Sequence, residues 1–266
     1  MKSPAISGVI LALASISIAG AAEPRDIEFT AKIDGTIQRY VTIEPDGFES
    51  GKSVNVLIAL HGHGSDRWQF VRDGRGECKA ARKAATRHGM AFVSPDYRAK
   101  TSWMGPKAEA DLVQIIEETK SRYGARKVIV CGGSMGGTAA LTFAALHPQL
   151  VDGVVAFNGT ANLVEYDRFQ DAIAESFGGT KGEIPEEYRK RSALFHFVKL
   201  TMPVATTTGG RDEIVPPASV LELVEKLSRT NPNVLSIHRP EGGHATDEGD
   251  SKAALEFVIG KAVDSK

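Results

Sequence analysis

The stretch Val128-Ile129-Val130-Cys131-Gly132-Gly133-Ser134-Met135-Gly136-Gly137-Thr138 leads from three β-branched residues into a group of glycines around one serine. The alanine-rich segment that follows predicts a helix. A residue on so sharp a corner has a strained backbone, and the positions two before and two after it lie too close together for side chains. The pattern G-x-S-x-G therefore predicts a strand-turn-helix corner that holds Ser134 Oγ clear of the sheet, above the amino end of a helix.

A phosphate-binding loop is the main alternative for this glycine-rich segment. The dinucleotide pattern G-x-G-x-x-G needs a second glycine at position 134 or 135, where Ser134 and Met135 stand. The Gly-Lys-Ser/Thr triplet of nucleoside-triphosphate loops is also missing. A glycine-rich turn without any chemical role remains as the other alternative.

Length and composition favour one globular domain. The chain has 266 residues, of which 42% are hydrophobic, enough for the core of an α/β domain. The formal net charge is −1 and no long run carries a single sign. This argues against nucleic acid or an anionic membrane surface as the main partner.

The amino end differs in kind from the rest. Lys2 is the only charged side chain of residues 1–22, an apolar core follows over Gly8–Ala19, and small residues offer a cleavage site just after it. This pattern predicts a secretory signal peptide, a periplasmic or secreted protein of residues 23–266, and no stable membrane insertion. An uncut amino-terminal anchor is the alternative. Export would permit a Cys78–Cys131 disulfide, but two buried free thiols fit the same positions.

Strands and helices alternate along the remaining chain. Ile27–Ile33 and Thr36–Ile43 are β-rich runs around Asp34-Gly35, a hairpin signal. Val54–Leu60 is almost continuously apolar, as expected of a strand covered on both faces. We therefore predict an α/β fold with a mostly parallel, doubly wound sheet of about eight strands, whose ligands bind at the carboxyl ends of the strands.

One long interruption separates two of the predicted strands. Residues 159–200 contain two helical patches, Tyr166–Ser176 and Glu186–Val198, around a glycine-rich segment. We predict a small cap-like insertion over the carboxyl edge of the sheet, within a single domain of residues 23–266.

A reactive serine needs a base and a group that orients the base. Downstream of Ser134, paired glycines lead out of two predicted strands, first to Asp212 and then to His244. We predict that His244 is the base and Asp212 its orienting acid, with Glu213 as the near alternative to Asp212. The order Ser, Asp, His along the chain, with each residue on a loop after a strand, is typical of the catalytic triads of α/β-hydrolases.

The charge that develops on a carbonyl oxygen needs two fixed N–H donors. One is predicted at Met135, directly after the nucleophile. The other is predicted at His63, in the loop His61-Gly62-His63-Gly64 after a strand. His61-x-His63 is also half of a metal site, but no nearby cluster completes it, so we predict no metal and assign His61 to ordering the loop.

In combination these residues resemble the α/β-hydrolases of the esterase and prolyl oligopeptidase catalytic-domain group (peptidase S9). The likeness runs from Val54 to the carboxyl terminus. Its motifs are His61-Gly62, Pro95-Asp96-Tyr97-Arg98, Glu109-Ala110-Asp111, Gly132–Gly137, Asp212 with Val215-Pro216, and Gly243-His244. The resemblance implies a Ser134/Asp212/His244 triad with the Met135 and His63 amides as oxyanion hole. The chain departs from the large oligopeptidases because it has no room for their amino-terminal propeller, which brings it closer in build to secreted carboxylesterases.

We therefore expect a secreted serine hydrolase that cleaves carboxylic esters, such as acetyl or feruloyl esters of polysaccharides, through an acyl-enzyme and without a cofactor. A prolyl-oligopeptidase-like peptidase and a non-catalytic binding protein on the same fold are the alternatives. Trp103, Asn158 and Tyr97 are the predicted substrate-binding residues around the site. Trp103 falls in a loop near the carboxyl edge of the sheet, where its ring could stack on an acyl group or a sugar. For Trp103, anchoring its own loop in the core is the competing interpretation.

Overall fold

The computed structural model describes residues 22–264. The predicted signal peptide falls on residues 1–22, all but the last of which lie outside the described part of the chain. The eight strands of the described region form one sheet. They are β1 Arg25–Thr30, β2 Ile37–Ile43, β3 Val56–Leu60, β4 Ala91–Pro95, β5 Val128–Gly133, β6 Gly153–Phe157, β7 Val204–Gly209 and β8 Val234–Arg239.

Helices connect most of these strands. They are α1 Gln69–Arg72, α2 Gly76–Arg87, α3 Pro106–Tyr123, α4 Met135–Leu146, α5 Gln170–Phe177, α6 Pro185–Lys190, a 3₁₀ helix Ala193–Lys199, α7 Ala218–Leu227 and α8 Glu248–Asp264.

The strand order in the sheet is β1-β2-β4-β3-β5-β6-β7-β8. β2 is antiparallel to both of its neighbours. The six strands that follow β2 in this order, β4, β3, β5, β6, β7 and β8, are mutually parallel. The mostly parallel α/β sheet predicted from the sequence is confirmed. Because parallel strands end at one edge, the loops after β3, β5, β6, β7 and β8 meet there.

Alternate residues of the central strands feed two hydrophobic cores. Val128 and Val130 of β5 pack with α3, α4 and α7 on one face. Ile129 and Cys131 pack with α2 and α8 on the other. Successive residues of a strand point to opposite faces of the sheet, and helices cover both faces here. This explains the apolar runs of the central strands and makes the sheet doubly wound.

The first hairpin differs from its prediction. β1 ends at Thr30 and β2 begins at Ile37, so the connection is longer than the two-residue turn expected at Asp34-Gly35. The carboxylate of Asp34 accepts hydrogen bonds from the N–H and the hydroxyl of Thr36 and from the Arg98 guanidinium. Backbone hydrogen bonds of Ala31 with Thr36 and with Gly35 close the loop, so the side-chain bonds stabilise a longer loop in place of the two-residue turn.

The insertion of residues 159–200 also differs in detail. Its helices begin and end at other residues than predicted, and the second patch divides at Arg191-Ser192 into α6 and the 3₁₀ helix. Buried side chains of this segment, such as Ile173 and Tyr188, belong to the same core cluster as α3 and α4. The insertion is thus packed onto one helix layer of the sheet.

Candidate active site

Ser134 stands on the corner between β5 and α4. Its backbone has φ +57° and ψ −119°, a strained conformation for a residue with a side chain. A Cβ on Gly132 would overlap the carbonyl oxygen of Gly136, and a Cβ on Gly136 would overlap that of Leu60. The two flanking glycines are therefore required by close backbone contacts within the corner and with β3.

The three predicted triad residues come together at the carboxyl edge of the sheet. The Ser134 hydroxyl oxygen lies 2.9 Å from Nε2 of His244. Nδ1 of the same imidazole lies 2.7 Å from a carboxylate oxygen of Asp212. The acid is almost completely buried, whereas about a fifth of the imidazole is exposed. Hydrogen bonds to the two ring nitrogens of His244 therefore connect the accessible hydroxyl of Ser134 to the buried carboxylate of Asp212.

Asp212 is held as an anion by its surroundings. Burial alone would raise the pKa of this carboxyl, but hydrogen bonds from His244 and from the N–H groups of Val215 and Ile214 outweigh it, and the net pKa is lowered. One carboxylate oxygen is used by the two backbone donors and the other by the imidazole. Glu213, the alternative acid, lies beside an outer groove together with Ile214 and Phe169.

Asn158 supports this arrangement from below. Its amide donates to the carbonyl oxygen of Gly243, next to the histidine, at 3.1 Å, and approaches the Asp212 carboxylate at 3.5 Å. Its own carbonyl oxygen accepts from the hydroxyls of Thr207 and Thr246. Asn158 also lines the pocket, but its hydrogen bonds link the acid loop to the histidine loop. The predicted substrate-binding residue is therefore placed as a positioning residue.

The loop after β3 lies directly against the nucleophile. A Cβ placed on Gly62 would be 3.8 Å from Cβ of Ser134. The N–H of Gly62 donates to the side-chain oxygen of Gln69, at 2.7 Å, which ties the loop to α1. Met135 begins α4, where backbone N–H groups lack partners within the helix. The predicted donors at Met135 and His63 are thus on the two segments that flank Ser134.

Gln69 was missed at the sequence level. It lies in a four-residue helix without any motif, and its contact with Gly62 depends on how the loop folds back. Because Gln69 belongs to no recognised sequence motif, nothing in the sequence indicates its contact with the loop after β3.

His61 and Tyr97 order the same loop from inside. The His61 ring is buried, with Nδ1 2.8 Å from the carbonyl oxygen of Gly62 and Nε2 3.2 Å from that of Asp96. The Tyr97 hydroxyl donates to the carbonyl oxygen of His61 at 2.6 Å, and its side chain is inaccessible to solvent. The prediction that Tyr97 contacts substrate does not agree with this burial, which gives it a supporting role. Over residues 22–264, no group of three or more metal-binding side chains is present.

Trp103 is also inaccessible to solvent, so a direct contact with substrate does not agree with its position. Its indole N–H donates to Nδ1 of His63 at 3.1 Å, and its ring packs on Tyr166 and Phe169. Burial lowers the pKa of His63, which favours the neutral ring that accepts this hydrogen bond. The competing interpretation, a tryptophan anchored in its own loop, matches these contacts.

A pocket opens beside the nucleophile, between α2 and the histidine loop. Its walls are formed by Gly62, Gln69, Arg75, Gly76, Glu77, Gly133, Ser134, Phe157, Asn158, His244, Ala245 and Thr246. Glu77, in the first turn of α2, was not singled out from the sequence, although an acid at the start of a predicted helix was visible there. The pocket gives a carbonyl compound access to the hydroxyl and the imidazole together.

A strand-turn-helix serine, an acid after β7 and a histidine after β8, on this sheet order, define the α/β-hydrolase class. The sequence profile of the prolyl oligopeptidase family matches residues 85–258, a span that contains Ser134, Asp212 and His244. The chain belongs to the prolyl oligopeptidase family, a family of serine hydrolases. The loop of residues 61–64 lies outside the matched span.

Solved structures share this fold at low sequence identity. Puromycin hydrolase superposes with a TM-score of 0.72 at 18% identity, over 94% of this chain and 40% of that one. FphF, a fluorophosphonate-binding serine hydrolase of Staphylococcus aureus, gives 0.67 at 18% identity, over 92% of this chain and all of that one. An esterase of Pyrococcus furiosus gives 0.65 at 20% identity, over 91% and 93% of the two chains.

Among curated proteins, an uncharacterized membrane protein of Saccharomyces cerevisiae is 27% identical over 162 residues. The alignment covers 59% of this chain and 55% of the yeast protein, so it spans only about half the length of that relative. Within residues 22–264, no helix has the length and apolar character needed to cross a bilayer.

Proposed function

We propose that the protein is a serine hydrolase that cleaves carboxylic esters through an acyl-enzyme. The observation that carries the proposal is the continuous hydrogen-bonded chain from the Ser134 hydroxyl through His244 to Asp212, open to a pocket at one end. Membership in the prolyl oligopeptidase family supports the same chemistry.

In the proposed mechanism, Ser134 Oγ attacks the ester carbonyl carbon while Nε2 of His244 takes its proton. Asp212 keeps the imidazole in the required tautomer and stabilises its charged form. The Met135 and His63 amides donate to the oxyanion of the tetrahedral intermediate. His244 then protonates the departing alkoxide, and a water molecule activated by the same ring releases the acid and regenerates the serine.

Esters are preferred over peptides in this proposal because an alkoxide leaves more readily than an amine. A peptidase of the prolyl oligopeptidase type is the second candidate, favoured by the family match. Hydrolysis of p-nitrophenyl acetate is compared with that of an aminoacyl p-nitroanilide at equal concentration. We expect faster release from the ester, whereas faster release from the anilide would identify a peptidase.

Replacing Ser134 by alanine tests the nucleophile. We expect the Ser134→Ala variant to keep its fold by circular dichroism and to lose at least about 10³-fold in kcat. A fluorophosphonate probe should label the wild type and not this variant. A folded wild type that the probe leaves unmodified would instead favour the third candidate, a binding protein that has kept the hydrolase fold.

Export to the periplasm or medium is part of the proposal and is supported by the signal-peptide pattern of residues 1–22. Sequencing the amino terminus of protein recovered from the native host should find a chain that begins close to Glu23. Recovery of an intact amino terminus from the membrane fraction would favour the uncut anchor. Acetylated and feruloylated polysaccharides are the proposed natural esters, and release of acetate or ferulate from them is the corresponding assay.

A further inference from the structure

The carboxylate of Glu77 lies in the pocket beside the nucleophile and has no cationic partner in direct contact. A Cβ placed on Gly133, the residue before Ser134, would lie 3.6 Å from Cγ and from one carboxylate oxygen of Glu77. Within residues 22–264, no Lys, Arg or His side chain lies within ion-pairing distance of this carboxylate. An acid facing a binding pocket without a partner has its charge available to a ligand.

The backbone holds Glu77 in this place. A Cβ on Gly76 would overlap the backbone of residues 246–248, so the first turn of α2 packs against the segment that follows His244. Glu77 thereby lies beside Gly133 of the nucleophile corner, and it lines the same pocket as Ser134 and His244. An acid in the first turn of a helix often only stabilises the helix end, but such side chains are normally solvated. Here the side chain is partly buried against the active site.

Two cationic or titratable groups, Arg75 and His244, lie near Glu77 and act on its carboxylate without contacting it. Arg75 also lines the pocket, but its guanidinium is paired with Asp73 at 2.9 Å. Burial is the main reason that the pKa of Glu77 is raised, and a hydrogen bond from its own N–H and the charges of Arg75 and His244 counteract it in part. A carboxylate whose charged form is destabilised by burial gains from any cation placed beside it.

We propose that Glu77 selects substrates whose leaving group carries a cationic nitrogen. The inference rests on the proposed esterase function and names the substrate class of that site. Since His244 protonates the departing oxygen, the leaving group lies beside the imidazole, and the pocket of Glu77 adjoins His244, Ala245 and Thr246. An ammonium group two carbons beyond the ester oxygen would then lie in the same pocket as the carboxylate.

The test compares two isosteric acetate esters, acetylcholine and its uncharged analogue 3,3-dimethylbutyl acetate. The readout is the ratio of their kcat/KM values, which cancels any general loss of activity in a variant. In the wild type we expect a preference of about tenfold for the cationic ester, below the full Coulomb attraction because the ammonium group loses hydration. In Glu77→Gln the ratio should fall to about one.

Two further variants serve as controls. Glu248→Gln removes another first-turn acid, one that pairs with Lys83 outside the pocket, and should leave the ratio unchanged. Arg75→Gln removes the cation of the pocket and should raise the ratio. A wild type without preference for the cation, or a ratio that persists in Glu77→Gln, would overturn the proposal.

A measurement on the unmodified protein covers the case that Glu77→Gln does not fold. Tetramethylammonium chloride should inhibit hydrolysis of the neutral ester competitively, while sodium chloride at equal ionic strength should not. Equal effects of the two salts would contradict the cation subsite. Failure of the proposed function has a different signature, because neither ester would then be cleaved. The fluorophosphonate probe would still label Ser134 in a peptidase and would leave it unmodified in a binding protein.

Discussion

Ser134 and Asp212 show how single residues are prepared for chemistry. The left-handed backbone of Ser134 presents its hydroxyl to His244, and four hydrogen-bond donors and a buried site define the position of the acid. In the proposed mechanism the carboxylate does not move protons itself; it holds the ring and compensates its charge. The strain at one residue and the hydrogen bonds at the other are both maintained by backbone groups of neighbouring loops.

Asp212→Asn is the sharpest residue-scale test of this arrangement. The amide preserves the shape but removes the charge and permits the wrong imidazole tautomer, so we expect kcat on p-nitrophenyl acetate to fall by about 10³ to 10⁴ with little change in KM. Glu213→Gln, at the neighbouring acid, is the matched control and should retain activity within a factor of about two. A reversed order of the two effects would show that Glu213 is the orienting acid.

At the scale of elements, the corner between β5 and α4 depends on contact between backbones. Gly136 faces the end of β3 so closely that a methyl group has no space, because the strand and the helix start are both fixed by the sheet. The same glycine is needed for the fold and for the presentation of the nucleophile. The sequence pattern around Ser134 is therefore a packing requirement as well as a chemical one.

Gly136→Ala should accordingly destabilise the protein by more than about 3 kcal/mol or abolish soluble expression, since neither backbone segment can yield. Gly260→Ala is the matched control, because a methyl group at this position in α8 meets open space. There we expect a gain of about 0.5 to 1 kcal/mol from helix propensity. Urea denaturation measures both, and a neutral Gly136→Ala variant would refute the close contact.

The insertion is tied to the sheet layer by a buried ion-pair network. The Arg191 side chain has no solvent exposure and donates to Glu109 of α3 at 2.8 Å and to Glu187 of α6 at 2.6 Å. Glu109 also contacts Nε2 of His147. Burial by itself would raise the pKa of Glu109, but His147 and Arg191 together lower it to about 2. A carboxyl with a depressed pKa stabilises the folded state only while it is ionised.

This contribution should be complete above the ordinary Glu pKa of 4.5 and should be lost as the pH falls towards 2. We expect Glu109→Gln to lower the free energy of unfolding at pH 7 by about 3 kcal/mol, because Arg191 is left buried without this partner. The difference from wild type should shrink as the pH falls through that window. Glu225→Gln, which breaks an exposed pair with Arg229, should cost less than about 1 kcal/mol at pH 7. A pH-independent difference for Glu109→Gln would contradict the ionised pair.

At the scale of the whole molecule, the core on one face of the sheet encloses both cysteines. Cys78 on α2 and Cys131 on β5 are free, buried thiols in the core that α2 and α8 cover. Burial raises the pKa of Cys78 to about 12 and that of Cys131 still further. The sequence left open whether Cys78 and Cys131 form a disulfide or remain free thiols, and the structure shows free thiols.

Native protein should therefore react slowly with Ellman's reagent, because both thiols are protonated and inaccessible. In guanidinium chloride, without any reductant, the two cysteines of the chain should both react at once. Fast reaction of one thiol in the native state would show local opening of the α2 and α8 layer. Absence of reactive thiols after unfolding would instead indicate a disulfide.

Local patterns were sufficient for much of this protein. Strand and helix alternation predicted the α/β class, and the glycine-flanked serine, Asp212 and His244 were singled out because each follows a strand on a tight turn. These signals are local, since they arise from backbone sterics and from burial on both faces of a strand. The two-residue turn at Asp34-Gly35 and the helix bounds predicted for the insertion were wrong in detail. Contacts of the Asp34 side chain with Arg98 and of the Arg191 side chain with Glu109 depend on the tertiary structure and outweigh local preference.

Only the tertiary structure determined which polar side chains meet at the carboxyl edge of the sheet. It placed Asn158 beneath the triad loops, turned Trp103 and Tyr97 inwards, and brought Gln69 and Glu77 beside Ser134 from helices that carry no motif. The physical reason is that distances across a sheet depend on the order of its strands and on how the loops pack, and neither is encoded in the residues near any one of these positions. What the sequence alone determined was the set of chemically capable residues; the strand order determined their geometry.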